Sequence, residues 1–211
     1  MKNLIPGRAR RLIALAAVLL LAACSAGGGT RGEVARFDFG PLPAAAPAAK
    51  LARPLLVMDV AVPAALDSAD LRYRLAYQDG ARPMAYANTR WAMPVSQLVT
   101  QRLRERLAAA GTIVSPSDGV RAPYSLRVEL EEFAQVFDAP ERSRAVLRAR
   151  VTLVGNRTLV VQRTFALERA AASPDADGGV RALSSLTDEW IGQLLEWTRS
   201  EEHTSELQSR E

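Results

Sequence analysis

Cysteine and histidine are almost missing from this 211-residue sequence: there is one of each, Cys24 and His203. That scarcity removes most site chemistry before any fold is considered. A zinc site draws about four ligands, mostly Cys and His, and no such set can be assembled here. Nucleophilic catalysis needs a Ser, Thr or Cys beside a base. Cys24 ends a leader, His203 lies in a terminal stretch without apolar periodicity, and no G-x-S-x-G elbow occurs. One cysteine also leaves no disulfide within the chain. Gly27-Gly28-Gly29 follows no strand pattern and so is not a phosphate-cradling loop. Glu129, Glu131 and Glu132 could imitate a glycosidase pair, but on alternating strand positions among arginines they are solvent-facing charges. Neither a catalytic residue nor a metal ligand is assigned, and the expectation is a non-enzymatic protein without a cofactor.

An excess of one charge is missing too. The chain has 27 basic and 23 acidic residues. Its first 23 residues contain Lys2, Arg8, Arg10 and Arg11 and no acid, so the remainder carries 23 of each. A balanced domain has no electrostatic footprint for nucleic acid. Long hydrophobic runs are equally scarce. Leu12 to Ala23 is uncharged, but at ~1.5 Å per residue it reaches only ~18 Å, against ~30 Å of bilayer hydrocarbon. A basic start, a short apolar run and small residues at its end form a signal peptide, residues 1–23, rather than a membrane span.

Leu21-Ala22-Ala23-Cys24 resembles a bacterial lipobox, which directs cleavage before the cysteine and lipidation of its sulfur. The expected product carries covalent lipid on Cys24 and is held to a membrane without crossing it. Ser25 follows, not the aspartate that resembles an inner-membrane retention signal, so the periplasmic face of the outer membrane is expected. Residues 24–36 then form a flexible, glycine-containing tether. Residues 199–211 resemble a translated cloning adapter and are expected to be non-native or disordered.

Residues 37–198 have the length and, within a chain that is 48% hydrophobic, the composition of one domain. Short strands are expected at Phe37–Pro41, Leu55–Val60 and Thr112–Ser115. Leu71, Tyr73, Leu75 and Tyr77 alternate with Arg72, Arg74 and Ala76, and Asp79-Gly80 turns the chain into Met84–Asn88, a hairpin. Tyr73, Tyr77, Tyr86 and Trp91 are expected to cluster on it as a structural aromatic group, or Tyr73, Arg74, Arg90 and Trp91 to form a contact surface for a partner. Val95, Leu98, Val99, Leu103 and Leu107 predict a helix from Pro94 to Ala110 whose Arg102, Arg104 and Arg106 face solvent. Three alternating strands follow. The first holds Tyr124, Leu126, Val128 and Leu130 on one face and breaks phase at Glu131-Glu132, where a β-bulge would return Phe133 to that face. The second carries Ala145 to Leu153. The third places Leu159, Val161, Phe165 and Leu167 on the apolar face. Val180 to Thr198 is a second helix. The fold class is therefore α+β: a two-layer domain, a mainly antiparallel sheet with two helices packed on one face.

Leu-Ala-Ala-Cys24, Phe37-Asp-Phe-Gly-Pro41, Leu71-Arg-Tyr-Arg74, Tyr86-Ala-Asn-Thr-Arg-Trp91 with the helix from Pro94, Leu130-Glu-Glu-Phe133 with Phe137-Asp138, and a closing helix with Trp197 occur in an order that resembles the ABC-type transport auxiliary lipoproteins. That family includes the lipoprotein of the paraquat-inducible system. The resemblance implies a lipid-transport role at the outer membrane, an MCE-domain protein of an ABC lipid transporter as partner, and no catalytic site. It leaves homo-oligomerisation open. Two rivals are a periplasmic lipid-binding carrier, with a cavity between sheet and helices, and a Glu/Asp cell-wall hydrolase.

Overall fold

The three alternating stretches at the centre of the sequence become the spine of one sheet in the computed structural model, which describes residues 33–43, 50–155 and 158–208. They are β6 (Tyr124–Ala139), β7 (Arg142–Gly155) and β8 (Thr158–Ala170), joined as an antiparallel meander. Alternation drives this arrangement, because side chains two apart share a face and only one face can be buried. The register shifts between Leu130 and Glu132. That bulge restores Phe133 to the buried face, where it is 2% exposed.

The other edge of β6 is shared. β2 (Leu55–Val57) pairs in parallel with Tyr124–Leu126, while β3 (Asp70–Leu75) pairs in parallel with Gln135–Phe137. β5 (Ile113–Val114) extends the sheet from β2. β4 (Gly80–Trp91) runs antiparallel to β3, and β1 (Ala35–Phe37) lies parallel on the end of β4. The result is an eight-stranded mixed sheet whose longest ladders are antiparallel.

Two long helices cover one face. α2 (Val95–Ala108) buries Val95, Leu98, Val99, Leu103 and Leu107. α3 (Ala176–Gln208) contributes Leu183, Leu186, Trp190, Ile191 and Leu194. Between the layers, Leu126, Leu130, Leu147 and Leu153 meet helix residues Leu103, Leu183 and Leu194, and all are 0% exposed. These leucines therefore leave no accessible surface at the point where the carrier alternative places its cavity. From Val34 onward the described residues form one compact unit. No helix among them is long and apolar enough to cross a membrane.

Strand β2 stops at Val57 rather than Val60, and three further elements differ more from the sequence-based expectation. The β3–β4 hairpin is not closed by a simple Asp-Gly turn: α1 (Ala76–Asp79) intervenes, and Tyr77 sits in it, exposed. β1 ends at Phe37, and the next residues make a tight turn in which Gly40 takes φ +69° and its N–H donates to Asp38 Oδ1 at 2.7 Å. α3 begins four residues earlier than Val180 and continues to Gln208, past Thr198. Ser200, Glu201 and Glu202 contain no breaker, so the backbone has no local reason to stop.

Candidate functional site

Leu21, Ala22, Ala23 and Cys24 lie outside the described residues. The hairpin residues are described, and they fall into two groups. Tyr73 stacks on Tyr86 with ring centroids 4.7 Å apart and meets Phe137 edge-on at 5.9 Å. The Tyr86 hydroxyl donates to Gln135 Oε1 at 2.8 Å. Gln135, fully buried, donates from Nε2 to Ser143 Oγ at 2.8 Å and to the Asp175 carbonyl at 3.1 Å. Burial, reinforced by Tyr73 and Asp175, pushes the Tyr86 phenol far above the usual tyrosine range. This chain of bonds ties hairpin, spine and the start of α3 together. Arg74 donates to the Gly80 carbonyl at 3.1 Å and stands 4.0 Å from Glu132. Arg90 is ion-paired with Asp70.

Trp91 belongs elsewhere. It is 1% exposed, 5.5 Å from the Phe39 ring and 5.9 Å from Phe133. The expected cluster of Tyr73, Arg74, Arg90 and Trp91 as one contact surface is therefore corrected: Trp91 is a core residue. Burial decides this, since enclosing a large aromatic side chain is worth more than any one surface contact. Tyr73 is half-buried and Arg74 and Arg90 remain partly accessible, Arg90 38% exposed.

A residue expected to face solvent is the main support of this region. Arg102 is 4% exposed and grips Asp188 of α3 with two bonds, Nε and Nη2 each at 2.8 Å. Its remaining N–H groups donate to the carbonyls of Phe39, Gly40 and Pro41 at 3.4, 3.0 and 3.3 Å. The planar guanidinium suits this fork-and-carbonyl arrangement in a way an ammonium does not. One arginine on α2 thereby holds the Phe-Asp-Phe-Gly-Pro turn and α3. The available signal was spacing: Arg102 follows Leu98 by four residues and so continues the apolar stripe.

The uncovered face of the sheet is polar. Glu131 pairs with Arg148 at 3.0 Å and with Arg150 at 3.6 Å, and Glu129 pairs with Arg150. The carboxylates weighed as a hydrolase pair thus sit within an arginine ladder. No group of three or more metal-ligating side chains is found among the described residues.

The model of the family described as "ABC-type transport auxiliary lipoprotein component" matches residues 37–194. No curated protein matches the sequence. Among solved structures, a Xanthomonas campestris protein assigned to DUF330 aligns with a TM-score of 0.67 at 18% identity, over 83% of this chain and 97% of that one. A second crystal structure, of an uncharacterized protein, aligns with a TM-score of 0.60 at 19% identity, over 78% of this chain and 97% of that one. At such identities the likeness shows a shared fold.

Proposed function

We propose, from the premise that this chain belongs to the ABC-type transport auxiliary lipoprotein family, that it acts by docking rather than by catalysis. Lipid on Cys24 anchors it at the periplasmic face of the outer membrane, and its globular domain engages an MCE-domain protein of an ABC lipid transporter. The family match across residues 37–194 carries this reading. Leu21-Ala22-Ala23-Cys24 supports the anchor, and the lack of a nucleophile–base or metal-ligand constellation in the sequence supports a role without chemistry of its own. Anchoring has a physical use: a tethered domain meets a partner at the same surface at high effective concentration, without needing a large interface.

The test is purification of the full-length lipidated chain from cells that make the transporter. Docking predicts that the MCE-domain component co-purifies and that Cys24→Ala, which frees the domain from the membrane, weakens recovery. Absence of every transporter component from a folded wild-type preparation contradicts it.

A further inference from the structure

Leu159 and Val120 stand out among solvent-facing apolar side chains: they are 64% and 59% exposed, against 39–43% for Val34, Leu42 and Tyr77. The two share one open groove of about 640 Å³, lined also by Leu56, Val154, Arg121 and Arg127. It lies on the uncovered sheet face, at the end where β6 begins.

Leu159 is there because of a bulge. Strict alternation places it with Val161 and Phe165 on the helix-covered face. The register between β7 and β8 shifts between Leu153 and Val154, so Leu159 opposes Val154 instead. Val154 continues the row of Arg148, Arg150 and Thr152 on the open face. Bulges re-aim side chains in this way, and here the local backbone irregularity turns a leucine toward water.

The charges at this end are also unlike the rest of the face. Arg148 and Arg150 are neutralised by Glu131 and Glu129. Arg121 and Arg127 make no ion pair among the described residues, and no carboxylate lines the groove there. Exposed aliphatic groups beside two unmatched guanidinium groups fit an occupant that is apolar and acidic. A second copy related by a two-fold axis brings the arginines against each other, which like charges oppose. A concave groove, rather than a flat patch, suits an inserted chain segment more than a bilayer surface.

We infer that this groove receives a short acidic segment of a protein partner, with apolar side chains seated between Val120 and Leu159 and carboxylates facing Arg121 and Arg127. This deepens, and rests on, the docking function proposed above. A photo-crosslinking benzoylphenylalanine placed at Leu159 of the full-length lipidated chain, in cells that make the transporter, reads the contact directly; the same probe at Thr164 is the control. The expected result is an adduct from position 159 alone, with one partner segment that sequencing shows to carry Asp or Glu beside apolar residues. Arg121→Glu with Arg127→Glu lowers its yield about tenfold, and reversing the captured carboxylates to lysine restores it. Arg127→Gln, which keeps most of the stem, lowers it less. An adduct with lipid, with a second copy or with a neutral or basic segment overturns the assignment, as does no adduct or a yield indifferent to both arginines. If the wild-type chain co-purifies with the transporter but position 159 captures nothing, only the groove assignment falls. If it does not co-purify, both fall.

Discussion

Arg102 reaches from α2 to two other segments, and its removal strands what it holds. Asp188, only 15% exposed, loses its counter-charge, and three carbonyls of the Phe39–Pro41 turn lose their donor. Taking one partner from a buried ion pair costs about 3–5 kcal/mol, so Arg102→Met is expected to lower the urea midpoint sharply. Arg102→Met with Asp188→Leu is expected to cost less than the sum of the single changes, because neither charge is left alone. Equal additive losses contradict the pairing. Trp91→Ala empties the Phe39–Trp91–Phe133 cluster and is expected to cost about 3–5 kcal/mol. A docking defect in that variant therefore reports unfolding, and calorimetry separates the two. Neither residue's role was legible from its type. Arginine on a helix is a solvated charge by default, and tryptophan beside aromatics and arginine on a hairpin fits a structural contact as readily as an interface anchor. Tertiary partners 61 to 86 residues away decided the first, and burial decided the second.

The start of α3 combines a local signal with a tertiary one. Asp175 is the cap: its Oδ1 accepts from the Gly178 N–H and from the Ser173 hydroxyl, each at 2.7 Å. These bonds, led by Gly178, hold its carboxyl below the ordinary value of 3.8. A depressed carboxylate stabilises the fold above its unfolded pKa and stops doing so as pH falls through the folded value. The difference in urea midpoint between wild type and Asp175→Asn is therefore expected to be largest near neutral pH and to shrink below about pH 4. A difference independent of pH contradicts the cap. Gly179 is tertiary: a Cβ there would lie 2.2 Å from Gln135 Oε1, and Gln135 is pinned by its bonds to Tyr86, Ser143 and Asp175. Gly179→Ala is expected to cost about 1–3 kcal/mol through overpacking, against a gain in helix propensity if the site were open. Chemical denaturation gives the sign. The apolar stripe that predicts the helix starts at Val180, five residues after the cap, and so does not mark where the helix begins. The two bulges make the same contrast. At Glu131-Glu132 charges interrupt an apolar rhythm, and the shift was legible. Near Leu159 both it and Val160 are apolar, so the rhythm carries no mark and Leu159 was assigned to the wrong face.

At the scale of the molecule, two layers and one covered sheet face follow from periodicity alone, and the structure has them. The sheet's branching does not. β2 and β3 share one edge of β6 in parallel, and β1 docks on β4 in parallel. Parallel neighbours are brought together by distant crossovers, which leave no local pattern. Family membership was legible because short motifs keep their order along the chain, and several sit where the fold needs them: the Phe37–Pro41 turn under Arg102, Trp91 in the core, Phe133 after the bulge. The lipidated cysteine is the remaining premise. It was read from four residues, Leu21 to Cys24. It also determines whether the domain works tethered beside a partner or free, a difference that effective concentration makes large. Metabolic labelling with an alkyne-tagged palmitate tests it most directly. Lipidation at Cys24 predicts strong tagging of the wild-type chain in the membrane fraction and none of Cys24→Ala, which moves to the soluble fraction. Equal tagging of the two proteins, with equal membrane recovery, contradicts it.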